Sequence, residues 1–187
     1  MREKRKVHVS GKRTILTYDL LHSAVDMALD QAESTTEGSF YNCLFSIVMN
    51  AFCLEAYLNH IGSGRFSDWD STLSPLDKLK RITEEVGIKI DYGKRPFQSI
   101  KLVNQFRNEL AHGKTEELNF SYQETFKPEN KVKYPIASWE AKCNIKKAKQ
   151  YRDDLESVVG HIQSFYRPGS PTFGIQGFSE AMSTLET

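Results

Sequence analysis

The sequence predicts an all-α fold, a bundle of four to five helices, and three observations carry that expectation. Through several long segments the apolar residues recur at helical spacing rather than at alternate positions. The run from Phe40 to Ile61 is long and apolar but is interrupted by Asn42, Asn50, Glu55, Asn59 and His60, which fits a buried central helix better than a membrane span. Helix-starting and helix-stopping residues fall between the periodic segments, as Thr17, Ser74-Pro75, Gly87 and Gly113 illustrate. A chain of 187 residues suits one domain able to bury its own core without disulfides or metals. The expected organisation is a basic lead-in over 1–13, a helical domain over 14–166 and a flexible tail over 167–187.

The lead-in is strand-like or mobile, with Val7-His8-Val9 preceding a turn at Ser10-Gly11-Lys12. From Thr17, a good N-cap, to about Glu33, the set Leu21, Ala24, Val25, Ala28, Leu29 and Ala32 lies opposite Asp19, Asp26, Asp30 and Glu33, the pattern of an amphipathic first helix. A second helix, roughly Gly38 to His60, is apolar over most of its circumference and should form the centre of the bundle. Its narrow stripe of Ser46, Met49, Cys53, Ala56 and His60 uses mainly small or soft side chains, which suits either close approach of another helix or ordinary core variation.

Ser74-Pro75 supplies a cap and an N1 proline for a short third helix that Gly87 stops. A fourth helix begins after Pro96, buries Val103, Phe106 and Leu110, and ends at Gly113 in the left-handed conformation. Residues 114–137 alternate apolar with polar in Leu118-Asn119-Phe120-Ser121-Tyr122 and Val132-Lys133-Tyr134-Pro135-Ile136, around Lys127-Pro128-Glu129-Asn130, and so predict a small β-hairpin or ordered flap between the last two helices. Ser138 then caps a long helix to about Tyr166. Beyond it, Pro168, Gly169, Ser170, Pro171, Gly174 and Gly177 describe a tail that crosses the surface or is disordered, with Phe173 and Phe178 as groups that could dock.

A formal net charge of +1 gives no global attraction to a polyanion. The first thirteen residues nevertheless carry Arg2, Lys4, Arg5, Lys6, Lys12 and Arg13 against Glu3 alone, either a solvated basic terminus or an arm that guides RNA. Cys43, Cys53 and Cys143 show neither a disulfide framework nor metal-ligand spacing and read as reduced core thiols of a cytoplasmic protein. No apolar segment follows the basic start, so no secretory signal is expected. Asp68-Trp69-Asp70 reads as a loop, Asp153-Asp154 with Glu156 as a solvated helix face beside Lys146, Lys147, Lys149 and Arg152, and His8, His22, His60 and His161 share no ligand spacing. A Gly-rich phosphate loop and a nucleophile elbow are both missing.

The chemistry-bearing stretch is Phe106-Arg107-Asn108-Glu109-Leu110-Ala111-His112-Gly113, which places a cation, an amide and an imidazole at one helix end. Asn108 and His112 are i, i+4 neighbours, whereas Arg107 and His112 are separated by about 140° of rotation. A joint site then needs the arginine to bend round, a distorted last turn, or a second copy facing the first. Glu55 projects among Leu44, Val48, Ala51 and Phe52, and a carboxylate there needs Arg107, a lysine, or solvent at the bundle edge.

Arg107-Asn108 with His112 resembles the R-N-x-x-x-H signature of the HEPN superfamily, small helical domains of toxins, abortive-infection proteins and CRISPR-associated effectors. Leu54-Glu55-Ala56-Tyr57-Leu58-Asn59 also resembles a segment common in such proteins. The resemblance implies a HEPN-like bundle acting as a metal-independent RNA endonuclease of a toxin-antitoxin or phage-defence system, without a cofactor. It also implies cleavage through the RNA 2′-hydroxyl and one composite site built across a homodimer, with an antitoxin or defence protein as a further partner. His112 would serve as general base or acid, Arg107 would grip the phosphate, Asn108 would orient His112 or the phosphate, and Glu55 would support Arg107. Lys114 departs from toxins that carry an aromatic two places after the histidine. The alternative is a catalytically inactive HEPN scaffold that binds RNA or a partner protein, or the antitoxin-bound half of a two-gene module.

Overall fold

In the computed structural model the described residues are 7–125, 127, 132–169, 172–174 and 179–185. Their centre is a 27-residue helix, α2 (Ser39–Arg65), which contacts α1 (Thr17–Ser34), α3 (Pro75–Glu85), α4 (Phe97–Ala111) and α5 (Ile145–Tyr166). Ile47, Ala51, Cys53, Leu54, Tyr57 and Leu58 are buried along it, as an apolar helix surrounded by others requires. By length and composition α2 could cross a membrane, yet this burial among four neighbours is what the core helix of a bundle shows. One end of the core gathers Leu54, Leu58, Leu79, Ile82, Leu155 and Ile162, and the other Val25, Ile47, Val103, Phe106 and Tyr151. The mainly helical bundle thus agrees with the expectation from sequence.

The small-residue stripe of α2 lies against α1. Cys53 Sγ donates to the Tyr18 carbonyl at 3.2 Å, and the His60 ring sits 5.1 Å from that of Tyr18. The helix also runs five residues beyond the expected His60, through Gly62 and Gly64. Gly62 is used for a close approach. A Cβ there would meet the Trp69 indole at 2.3 Å, and Trp69 Nε1 donates to Asn59 Oδ1 at 3.2 Å. The missing side chain of Gly62 therefore lets an aromatic ring seat on the last turns of α2.

Several boundaries differ from the sequence reading. Thr17 is the first residue of α1 and Leu16 the cap, because Leu16 packs on the core while its carbonyl accepts from Asp19 and Leu20. Ser74 does cap α3, accepting from the Asp77 N–H at 3.2 Å, and Gly87 takes a φ of +70° just past its end. Gly113 does not adopt a left-handed conformation: α4 tightens instead, with His112 N–H on Asn108 O at 3.0 Å and Gly113 N–H on Leu110 O at 3.2 Å. Helix α5 starts at Ile145, not near Ser138, because Asn144 accepts from the Lys147 N–H at 3.0 Å while Trp139–Cys143 holds a 3₁₀ turn at Glu140–Lys142.

Residues 114–137 contain no strand among those described, so the expected hairpin is not formed there. Its two limbs are joined through side chains: the Tyr122 hydroxyl accepts from Lys133 N–H at 2.9 Å, and Phe120 contacts Tyr122 and Tyr134. Leu118, Phe120, Tyr122, Val132, Tyr134 and Ile136 all remain exposed, which explains the missing ladder: an alternating strand needs a core for its apolar face. Residues 128–131 of the expected turn lie outside the described residues.

The supposed turn at Ser10-Gly11-Lys12 lies within a strand, β1 (Val7–Arg13), paired antiparallel with β2 (Ser179–Leu185) from Val7↔Leu185 to Arg13↔Ser179. Part of the tail read as flexible is therefore paired. Phe173 stacks on His22 with centroids 3.7 Å apart, and Gly174 N–H donates to Asp19 Oδ1 at 2.6 Å. Local pattern could not show a pairing between opposite ends of the chain. Phe178 and the basic residues Arg2, Lys4, Arg5 and Lys6 lie outside the described residues.

Nor is the acidic face of α5 simply solvated. Asp154 is buried in a two-pronged pair with Arg95, at 2.7 and 3.0 Å, and Glu156 meets His22 Nε2 at 3.0 Å. These residues fasten α5 to α1 and to the segment entering α4.

Gly62→Ala should lower stability by about 1–3 kcal/mol in urea unfolding, since the added methyl must push Trp69 off α2. All three thiols are buried and unpaired, and burial, with Cys43 alongside, pushes Cys143 up to about 11. Burial also raises Cys43 and Cys53. Thiolate is the reactive form, so none of the three should react with an aromatic disulfide reagent at pH 8 until denaturant is added; titration of native against unfolded protein checks this.

Candidate functional site

The last turns of α4 carry Arg107, Asn108 and His112, and the buried ring of Phe106 sets how they face. Phe106 anchors the helix in the core. Its neighbour Arg107 therefore emerges at the core boundary, with 24% of its side chain exposed, and turns toward α2. There Nη2 donates to Glu55 Oε2 at 3.0 Å, and the guanidinium carbon lies 5.6 Å from the Phe52 ring centroid. Nη1 donates to Asn108 Oδ1, also at 3.0 Å. Two acceptors and one aromatic face thus define the plane of the guanidinium fork.

Glu55 has a second partner that the sequence reading left unnamed. Its Oε1 accepts from Lys78 Nζ at 2.8 Å, and Lys78, on α3, is 0% exposed. The alternatives for Glu55, an arginine, a lysine or the solvent edge, are all realised: it bridges both cations while 27% of its side chain stays accessible. Arg107 Nε is buried and makes no hydrogen bond among the described residues. A sequence signal for Lys78 existed, because it stands four residues before the buried Ile82 and next to Leu79 on a short amphipathic helix. A lysine on the core side of such a helix needs an anion.

His112 is placed differently. It is the C-cap of α4, exposed at the surface, and its imidazole has no hydrogen-bond or ion-pair partner among the described residues. No contact joins it to Arg107: one points into the α2–α3 side and the other outward. Asn108 turns its amide oxygen to Arg107 and so orients the guanidinium, not the imidazole. A single chain therefore unites Arg107, Asn108 and Glu55, adds Lys78, and leaves His112 apart.

Beside this site, Tyr41, Leu44, Phe45, Val48 and Met49 of α2 and Leu110 of α4 line an apolar hollow. Tyr41 and Phe45 are exposed, although Ile47, Ala51, Leu54 and Leu58 of the same helix are core. Among the described residues no group of three His, Cys, Asp or Glu side chains could hold a metal ion.

Lys78→Met should destabilise the fold by about 2–3 kcal/mol in urea unfolding, below the cost of breaking a fully buried pair because Glu55 keeps some solvent and Arg107. Arg107→Ala should cost less, since Lys78 still answers Glu55. Set against protein-family models, curated proteins and solved structures, the chain matches none of them.

Proposed function

We propose that the chain is a HEPN-like RNA endonuclease that works as a cytoplasmic homodimer, without metal or cofactor, in a toxin-antitoxin or phage-defence setting. The observation that supports this reading is an oriented guanidinium and an exposed imidazole carried on the same helix end, within an R-N-x-x-x-H sequence and a helical bundle. Arg107 is held by Glu55 and Asn108 in a manner suited to grip a phosphodiester, and His112 is open to substrate.

In the proposed reaction, the neutral His112 imidazole removes the proton of an RNA 2′-hydroxyl, whose oxygen attacks the adjacent phosphorus. The bond from phosphorus to the 5′-oxygen breaks, and that oxygen takes a proton from a protonated imidazole, leaving a 2′,3′-cyclic phosphate and a 5′-hydroxyl. Arg107 carries the negative charge that builds on the non-bridging oxygens. Base and acid on opposite sides of one phosphorus call for two imidazoles, which a second copy supplies. The apolar hollow at Tyr41, Phe45 and Leu110 adjoins the motif helix and is the surface through which that copy would join it.

The separation of Arg107 from His112 within one chain favours a second reading, a catalytically silent scaffold that binds RNA or a partner protein. RNA incubated with the protein in EDTA should be cut to cyclic-phosphate ends, with DNA and 2′-O-methyl RNA untouched. Arg107→Ala and His112→Ala should each slow cutting by about 10²–10⁴-fold. Binding without cutting, weakened by salt, supports the scaffold. Sedimentation should report a dimer that Phe45→Glu converts to monomer; a monomeric wild type removes the composite site.

A further inference from the structure

The three charges around Glu55 do not balance. Lys78 and Arg107 are two cations, Glu55 is one carboxylate, and among the described residues neither cation makes a second ion-pair contact, Asp70 feeling the charge of Lys78 without touching it. One positive charge is left over, and it lies at the partly exposed end of the group, on Arg107.

The two halves of this group are also unequal. Lys78 is wholly buried, and its ammonium meets Glu55 alone at 2.8 Å, so the pair cannot separate without stranding a charge in the interior. Arg107 is partly exposed, and its other contacts are the neutral amide of Asn108 and the Phe52 ring. Its contact with Glu55 is therefore the one that can open, because Lys78 continues to neutralise the carboxylate when Arg107 lets go.

From this we infer that Glu55 is a displaceable counter-anion for Arg107: an incoming phosphodiester takes its place on the guanidinium, while the contact with the buried ammonium of Lys78 holds Glu55 in place. Lys78 is then a positioning residue that acts through Glu55 and sets how firmly Arg107 is held before substrate arrives. The inference rests on the phosphate-gripping role proposed for Arg107, and it gives that role a resting state. It makes the acid and its buried base opposed in effect. Removing Glu55 frees Arg107, whereas removing Lys78 leaves Glu55 with Arg107 as its only cation and tightens their contact.

Opposed signs separate this arrangement from simple structural support, because loosening the fold would expose Arg107 in either variant. The test is the rate at which phenylglyoxal modifies Arg107, followed by peptide mass spectrometry on the full chain. Relative to wild type, Glu55→Gln should react several-fold faster, Lys78→Met should react more slowly, and Lys78→Arg, which keeps the cation, should return to the wild-type rate. Equal-signed changes in Glu55→Gln and Lys78→Met overturn the inference. If Lys78→Met does not fold, affinity for a 2′-O-methyl RNA decides. Tighter binding by Glu55→Gln than by wild type supports displacement; equal or weaker binding overturns it. The labelling pattern needs no catalysis, so loss of the nuclease reading in the EDTA assay and loss of this inference are separate results.

Discussion

The contact between α2, α3 and α4 at the candidate site depends on one carboxylate. Glu55 stands on the central helix with Lys78 on one side and Arg107 on the other, and each of those residues comes from a different neighbouring helix. An ammonium without any solvent exposure is tolerable only with its anion present, so the positions of α3 and of the Glu55 carboxylate are tied together. The side chain of Arg107 is in turn laid against α2 and not extended to solvent. A polar link at the edge of an apolar core thereby ties the packing of α3 to the direction in which Arg107 leaves α4.

Much of the helical architecture could be read from the chain because it depends on local signals. Ser74-Pro75 and Gly87 bracket α3 as cap, N1 residue and stop, and the apolar run of α2 announces its central place. The errors cluster where tertiary contacts outweigh local preference. Gly62 continues a helix because Trp69 occupies the space over it, and Asn144 out-competes Ser138 as the start of α5. Residues 118–122 have the alternation of a strand but no sheet or core to receive one face. The pairing of β1 with β2 joins the two ends of the chain and leaves no short-range trace.

The site was legible in part. Arg107, Asn108 and His112 stood out through their spacing, and Glu55 through its place on an apolar helix. What spacing alone could not reveal was which way each side chain turns: Arg107 inward, Asn108 toward Arg107 and His112 outward. Lys78 escaped notice because a single lysine on a helix with many charged residues is ordinary until its burial is known. Its partner then explains its position.

The antiparallel ribbon has a mechanical consequence. Val7 is matched with Leu185 at the outer end of the ribbon and Arg13 with Ser179 at its inner end. Tension applied at those outer positions would part the hydrogen bonds rung by rung, as a zipper opens, and would not load them all together in shear. The ribbon would yield before force reached α1 or α5, so the helices would be insulated from a pull on the two strands.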